Sequence, residues 1–517
     1  MNNQESTLHA LTALKRFMED AAERGQGAIA ISLDITNAFG SLLFAVIEEA
    51  LRWQMARRYY TSYRRLARLK GPCVKETISY KNIIRNLPQI EISKLSNGLT
   101  IGTQGRASAH ATLGLYVNAG PRYESAEEHG ITHFFEHIAF QSTKTRSKTE
   151  LRSAMSSAGA YFNSFTTREM TVYFTQCLSP DVPQILGILF ECIFNNKLEY
   201  TIIEAQKHIL SLEIQEYEKN YSDILFDYLH MSAFQGTPLE QSVLGPCDNV
   251  TTFNSKLLSR ILYQRFTPRN MVVTAIGGVE HNEIVELSNK YLSKMVHVER
   301  DEVAQCRYTG ADLRYRNDDQ PMAHVAVAME GPSYCHADYN VMTLAKEVVG
   351  GWDKAQLGGL AHGSSVARAA SHNICDSYKS FYIAYKDTAL WGAYFVGSRL
   401  GLDDMVSVLQ YEWMNLCNMI TEEQLDRAKN QLKTKWLSTS ESTVRTSHRV
   451  GRSLLYRGCH LPVFKGIDVI ENITVQDVKS VCYKYLYDKC PVVAATGPTE
   501  TLTDYARLRS GTYWLRL

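Results

Sequence analysis

The 517-residue sequence has no marked excess of charge of either sign, no long apolar run and no closely spaced cysteine pair. Lys and Arg total 55 and Asp and Glu total 54, which argues against an overall electrostatic role in binding nucleic acid or a membrane surface. No apolar stretch approaches the roughly 20 residues of a membrane-spanning helix. The 11 cysteines are an odd number without a C-x-x-C pair, so we expect reduced and mostly buried thiols.

Residues 1–54 differ in character from the rest of the sequence. An apolar strand pattern ends at Asp34 and is followed by a turn and a helix pattern, which resembles the first metal-binding segment of retroelement reverse transcriptases. Polymerase chemistry needs further carboxylates to hold its metal pair, and the Tyr-x-Asp-Asp sequence that would supply them is absent. We therefore interpret 1–54 as an inactive, retroelement-like extension outside the enzyme; an ordinary strand, turn and helix is the alternative.

A basic segment follows at 55–80. It is rich in arginine and hydroxyl side chains, and no acidic residue occurs between Met55 and Lys75. This composition is typical of a mitochondrial presequence, whose internal position would be explained if Met55 rather than Met1 were the start; the sequence leaves both starts open. A basic, solvated helix face is the alternative interpretation.

Regular strand and helix patterns begin at about Ile90. Strand patterns flank the turn signal Asn97-Gly98 and recur at 109–118 and 271–276. Helix patterns cover 130–142, 148–157, 180–195, 201–235 and 280–294. The stretch 296–320 is predicted as a linker, since it is polar and charged with few periodic apolar positions. The segment after Ala323 repeats the pattern that starts at Ala109, which suggests a duplicated domain.

The strongest local motif is His133-Phe-Phe-Glu136-His137. On a helix, His133 and His137 project from one face a turn apart, which suits two nitrogen ligands of one zinc ion. Glu136 can reach a metal-bound water as its general base, in the inverted H-x-x-E-H order. Two histidines and a glutamate within five residues also arise by chance, so the motif needs support from elsewhere in the chain.

That support comes from longer stretches of sequence. The segments 130–143, 163–171, 387–392 and 424–430 resemble the pitrilysin-type (M16) metallopeptidase family, and in particular its processing-peptidase beta subunits, over roughly residues 80 to 517. The resemblance implies an α+β fold of the pitrilysin/LuxS-like type. Two homologous domains are expected, each a mixed, largely antiparallel β-sheet packed with α-helices: a catalytic zinc-binding domain at 81–295 and an inactive domain at 321–517.

The resemblance also implies the remaining site residues. The third zinc ligand of the family falls on Glu213, which leaves a fourth position for water. Asn163 lies beside the site, and Gln206 stands where the family has a supporting Glu, so it can hydrogen-bond but supplies no charge. Asp223 and Asp227 match acidic residues that recognise a substrate arginine. Ordinary solvated carboxylates on a helix are the alternative for the three acids.

The function implied is a zinc metalloendopeptidase with one Zn²⁺ per chain. It would remove basic presequences in the mitochondrial matrix as the catalytic beta subunit of a heterodimer. The expected partner is the alpha subunit of the processing peptidase, which carries a glycine-rich loop and lacks the zinc ligands. One alternative is a core subunit of respiratory complex III (cytochrome bc1), which shares the fold, with little or no peptidase activity. A reverse-transcriptase relative is disfavoured because Tyr-x-Asp-Asp is missing.

Overall fold

The computed structural model describes residues 85–295, 298, 304–356 and 359–513. The retroelement-like and presequence-like segments predicted at 1–54 and 55–80 lie outside these residues. We call 85–295 the first half and 304–513 the second half.

The first half alternates strands and helices in an order that places its helices around one sheet. Its strands are β1 Glu91–Lys94, β2 Thr100–Gly105, β3 His110–Val117, β4 Tyr161–Thr166, β5 Thr171–Leu178 and β6 Met271–Gly277. Its α-helices are α1 Ile131–Ala139, α2 Lys148–Ser157, α3 Val182–Phe194, α4 Tyr200–Tyr217, α5 Tyr221–Ala233, α6 Cys247–Thr252, α7 Ser255–Arg265 and α8 His281–Leu292. The helix pattern over 201–235 was predicted as continuous; in the structure it divides into α4 and α5 on either side of 218–220.

The second half repeats this arrangement. Its strands are β7 Asp312–Arg316, β8 Ala323–Gly331, β9 Gly351–Asp353, β10 Ser377–Ala384, β11 Ala389–Gly397 and β12 Val492–Gly497. Its α-helices are α9 Tyr339–Val349, α10 Ser365–Ala370, α11 Leu402–Asn418, α12 Glu422–Glu441, α13 Thr443–Arg457, α14 Val463–Asn472, α15 Val475–Tyr485 and α16 Tyr505–Ser510. β7 lies within the segment predicted as a linker, and the exact domain boundaries remain a prediction.

The two sheets share their topology. The first has the order β1-β2-β6-β3-β5-β4 and the second β7-β12-β8-β11-β10-β9. β2 runs parallel to β6 and β7 runs parallel to β12, whereas the other neighbouring strands are antiparallel. The predicted α+β fold with two homologous, mixed and largely antiparallel sheets is therefore confirmed.

Each half lends one helix to the sheet of the other. Helix α13 of the second half packs on β3 and β6, where Val450 and Leu454 join the apolar cluster of Tyr116. Helix α5 of the first half packs on β8 and β12, where Leu225 and Leu229 are fully buried. This exchange covers the second face of both sheets, since the remaining helices pack on the opposite faces.

Polar contacts join the halves as well. Arg122 of the first half donates hydrogen bonds both to Glu169 and, at 2.7 Å, to Asp387 of the second half. Glu169 is fully buried and also accepts the backbone N–H of Lys386 at 3.1 Å. A buried carboxylate is retained only when its charge is paired and hydrogen-bonded, and both conditions are met here.

The state of the cysteines and the apolar character of the helices can be compared with what the composition predicts. The ten cysteines within the described ranges are free thiols, and six of them are buried. Among the described residues, no helix combines the length and apolar character needed to cross a membrane.

Candidate metal site

The helix that carries the histidine motif is positioned at its N-terminus by a carboxylate. Glu124 accepts the backbone N–H groups of Gly130 and Thr132 at 2.7 and 2.9 Å, which satisfies two donors left unpaired at the start of α1. Gly130 has a φ of +94°, and a Cβ there would lie 2.5 Å from the Leu244 carbonyl oxygen. A glycine is therefore required where the chain enters α1.

The two predicted histidines and the predicted glutamate meet in space. The Nε2 atoms of His133 and His137 are 3.2 Å apart. Glu213 on α4 places one oxygen 2.9 Å from His137 Nε2 and the other 3.6 Å from His133 Nε2. Tetrahedral zinc with bonds near 2.0–2.1 Å separates its ligand atoms by about 3.3 Å. The donor set therefore fits one zinc ion, and this is the cluster of metal-ligating groups found among the described residues.

Glu136 lies beside this triad without being part of it. One of its oxygens accepts the Thr166 hydroxyl at 2.8 Å and lies 3.4 Å from His133 Nδ1. Thr166 closes strand β4, so the sheet fixes the orientation of the carboxylate. Glu136 is thus held beside His133, next to the triad.

The electrostatics of the triad favour a cation. Burial lowers the pKa of His133, but Glu136 and Glu213 outweigh it and raise the pKa to about 9. Hydrogen bonds from His133 and His137 hold the pKa of the Glu213 carboxyl far below its ordinary value. The Glu213 carboxylate therefore stays charged beside the two imidazoles, and its negative charge favours a cation at the donor set.

The two residues predicted to support the site differ in their surroundings. Gln206 is only 6% exposed and precedes Glu213 by two turns of α4, so it lies on the same helix face. Asn163 is exposed on β4. Its side-chain amide donates to the Tyr161 hydroxyl and accepts the backbone N–H of Ser164, both on the same strand. Gln206 is therefore buried two turns before Glu213 on α4, whereas the Asn163 side chain is exposed on β4.

The two acids predicted to bind a substrate arginine lie on α5, after the break that separates it from α4. Arg168 donates to one oxygen of Asp227, and the Tyr217 hydroxyl donates to the other at 2.8 Å. Asp223 is exposed and accepts the side-chain amide of Asn220 at 2.7 Å. An arginine of the chain itself therefore occupies the Asp227 carboxylate. No local pattern predicts this pair, because its members are 59 positions apart in the chain.

A cavity of about 720 Å³ opens beside Glu213. Tyr221 of the first half and His324 of the second stand across from each other there, with ring centroids 5.7 Å apart. Residues of both halves line the cavity, and Glu213 is the member of the triad that belongs to this lining.

Known proteins resemble almost the whole of this chain. Subunit 1 of the cytochrome b-c1 complex, mitochondrial, from Mus musculus is 38% identical over 455 residues, which are 87% of this chain and 95% of that protein. The Bos taurus subunit is also 38% identical, over 456 residues with the same coverage. The beta subunit of the Bos taurus mitochondrial-processing peptidase is 35% identical over 449 residues, 86% of this chain and 92% of that protein.

A solved structure shares the fold. A chain of complex III from Candida albicans, with Inz-5 bound, superposes with a TM-score of 0.74 at 23% identity, covering 82% of this chain and all of that chain. These findings correct the predicted function. The presequence-cleaving beta subunit was expected, but identity is higher to the b-c1 subunit, at 38%, than to the peptidase subunit, at 35%.

The family itself is shown by two matches. The insulinase (peptidase family M16) family matches residues 102–247, and the peptidase M16 inactive domain matches residues 253–432. The reverse-transcriptase resemblance of 1–54 finds no support in these matches. The first matched segment contains strands of the first sheet, and the second contains β6 of the first sheet and most strands of the second sheet. The chain belongs to the peptidase M16 family.

Proposed function

We propose that this chain is a core subunit of a mitochondrial cytochrome b-c1 complex, with little or no peptidase activity. The observation that carries the proposal is the 38% identity to subunit 1 of that complex over 95% of its length. The proposed partners are the other subunits of the complex, and the proposed location is the inner mitochondrial membrane to which the complex belongs.

Two features of the site support a low peptidase activity. Gln206 puts a neutral amide two turns from Glu213, where the family resemblance leads one to expect a carboxylate. Asp227 is neutralised by Arg168 and is hydrogen-bonded by Tyr217, so it offers no free charge to an arginine of a substrate. Both features weaken catalysis or substrate recognition, and neither disturbs the fold on which a structural subunit depends.

The proposal is tested by isolating the full chain with an affinity tag from mitochondria of its own cells. We expect native electrophoresis to show the chain in one complex with cytochromes b and c1. The Glu136→Gln variant should assemble equally well, because a structural subunit does not use the carboxylate. A chain that migrates only apart from the cytochromes would refute the proposal.

We further propose that His133, His137 and Glu213 bind one zinc ion. The convergence of their three donor atoms supports this second role independently of the assembly. When bound, zinc supplies an activated water at neutral pH. Glu136, held by Thr166, would accept a proton there, so any residual peptide hydrolysis would depend on this carboxylate.

Metal analysis of the purified chain tests this role. We expect about one zinc per chain, since three protein ligands are typical of one such site. Glu213→Gln should lose the metal, and Glu216→Gln on the exposed face of the same helix should retain it. Equal zinc contents in the two variants would rule out Glu213 as a ligand.

A further inference from the structure

The second half contains a pocket at the place that corresponds to the metal site. In the first half, α1 follows β3 and packs on α4, the second helix after β5. In the second half, α9 follows β8 and packs on α12, the second helix after β11. A cavity of about 420 Å³ lies at this α9–α12 contact.

The charges at this pocket are opposite to those at the metal site. Glu347 on α9 is 2% exposed and pairs with Lys435 on α12 and, at 3.1 Å, with Lys346. Its charge is therefore matched by two ammonium groups. Arg427, also on α12, adds a further cation to the lining, and the buried Glu412 lies close enough to influence it.

Arg427 has an unused donor. One of its terminal nitrogens donates to the Val348 carbonyl at 2.9 Å. Its Nε is shielded from water and has no hydrogen-bond partner among the described residues. The guanidinium as a whole lines the cavity and keeps its positive charge there, and charge-assisted N–H donors bind anionic oxygens most strongly.

His362 contributes a second donor. Its Nδ1 accepts the Ser364 N–H at 3.1 Å, which places the proton of the neutral ring on Nε2. The ring is kept neutral because burial, Arg427 and Arg368 all lower the pKa of His362. The pocket lining thus holds two cations, Arg427 and Lys435, and the neutral imidazole of His362, against one carboxylate, Glu347.

We infer that this pocket binds a phosphate group carried by a small molecule or a lipid headgroup. A guanidinium, an ammonium and an imidazole N–H together suit the several oxygens of a phosphate. The volume of about 420 Å³ exceeds the needs of inorganic phosphate and falls among pockets that hold small organic ligands.

Calorimetry with the full chain tests the inference, using inorganic phosphate and glycerol 1-phosphate as probes. We expect glycerol 1-phosphate to bind more tightly than inorganic phosphate. Arg427→Gln should weaken binding about tenfold or more, since a hydrogen bond to a charged group is lost. Lys435→Gln, at a side chain 62% exposed, should also weaken binding and is a second variant, in which Lys346 still pairs with Glu347.

Lys433→Gln is the matched control, because Lys433 lies on the same helix and pairs with Glu471 outside the pocket lining. Flotation with phosphatidylcholine vesicles, with and without phosphatidic acid, separates the two sources of phosphate. Arg427-dependent flotation identifies a lipid headgroup, and Arg427-dependent binding of glycerol 1-phosphate alone identifies a soluble ester. The inference is overturned if neither probe binds, or if Arg427→Gln, folded as judged by its thermal transition, binds like the Lys433 control.

Discussion

Arg168 and Asp227 form an ion pair between the β4–β5 hairpin and helix α5. Only 10% of the arginine side chain and 19% of the aspartate side chain are exposed, so the pair is largely withdrawn from water. Tyr217 completes the set by donating from the end of α4. The three residues therefore connect the hairpin to the two helices on either side of the break at 218–220.

Removing this carboxylate should destabilise the protein. Asp227→Asn leaves the Arg168 charge buried without its partner, which is expected to cost about 3 kcal/mol of unfolding free energy. Urea unfolding measures the loss. Asp223→Asn, an exposed change on the same helix, should stay within about 0.5 kcal/mol of the wild type. Equal unfolding midpoints for the two variants would show that the pair does not stabilise the fold.

The contact between Arg122 and Asp387 should make stability depend on acid. Burial raises the pKa of Asp387, but the hydrogen bond and charge of Arg122 outweigh it and leave the pKa lowered. The contribution of this carboxylate is therefore complete above its unfolded pKa of about 3.9 and is lost as pH falls through the lower folded value. Asp387→Asn should destabilise the chain at pH 7 and lose its effect in more acidic solution.

Urea unfolding of wild type and Asp387→Asn from neutral pH down to the acid limb provides the measurement. Asp376→Asn is the control for the size of the effect at neutral pH, because Asp376 pairs with Lys354 at the surface. A difference between wild type and Asp387→Asn that stayed constant into strong acid would contradict the assignment.

Helix α13 should tolerate no enlargement where it crosses the first sheet. A Cβ at Gly451 would lie 2.4 Å from the Tyr116 ring, which is itself fully buried and hydrogen-bonded to Ser447 and His448. Gly451→Ala is expected to cost about 2 kcal/mol through overpacking, despite the higher helix propensity of alanine. Thermal unfolding tests this, with the exposed Arg445→Ala of the same helix as control. Stabilisation by Gly451→Ala would mean that the helix does not approach the ring so closely.

Restoring a carboxylate at Gln206 should strengthen zinc binding. Gln206→Glu adds a buried negative charge on the ligand-bearing face of α4, and supporting residues of this kind change metal affinity by about tenfold or more. Competition with a zinc-binding dye measures the dissociation constant. Gln215→Glu adds the same charge at an exposed position of α4 and should leave it nearly unchanged. An equal gain in both variants would indicate a general charge effect.

The sequence predicted the local half of the metal site and needed the family resemblance for the other half. His133, Glu136 and His137 are brought together by helical periodicity alone, so their spacing is sufficient. Glu213 lies on another helix, and no periodicity connects the two. The pairing of Arg168 with Asp227 was missed for the same reason: it depends on how a hairpin packs on a helix rather than on spacing.

The fold was predictable where local patterns decide it. Helix α2 has the bounds predicted at 148–157, and its capping box of Ser147 and Glu150 explains why the pattern was clear at that end. The break before α5 was missed because apolar positions continue at helical spacing through Tyr217 and Tyr221. The short strand β7 was missed because it is an edge strand, whose exposed positions carry little hydrophobic signal.

Because α5 packs on the second sheet and α13 packs on the first, each half needs a helix of the other to cover its sheet, although the two halves resemble independent domains. A fragment ending near residue 295 would leave β3 and β6 without the apolar cover of α13, and the complementary fragment would lack α5 over β8 and β12. A backbone cut between the halves would therefore leave a joined, folded pair. Separately produced fragments would gain structure only on being mixed.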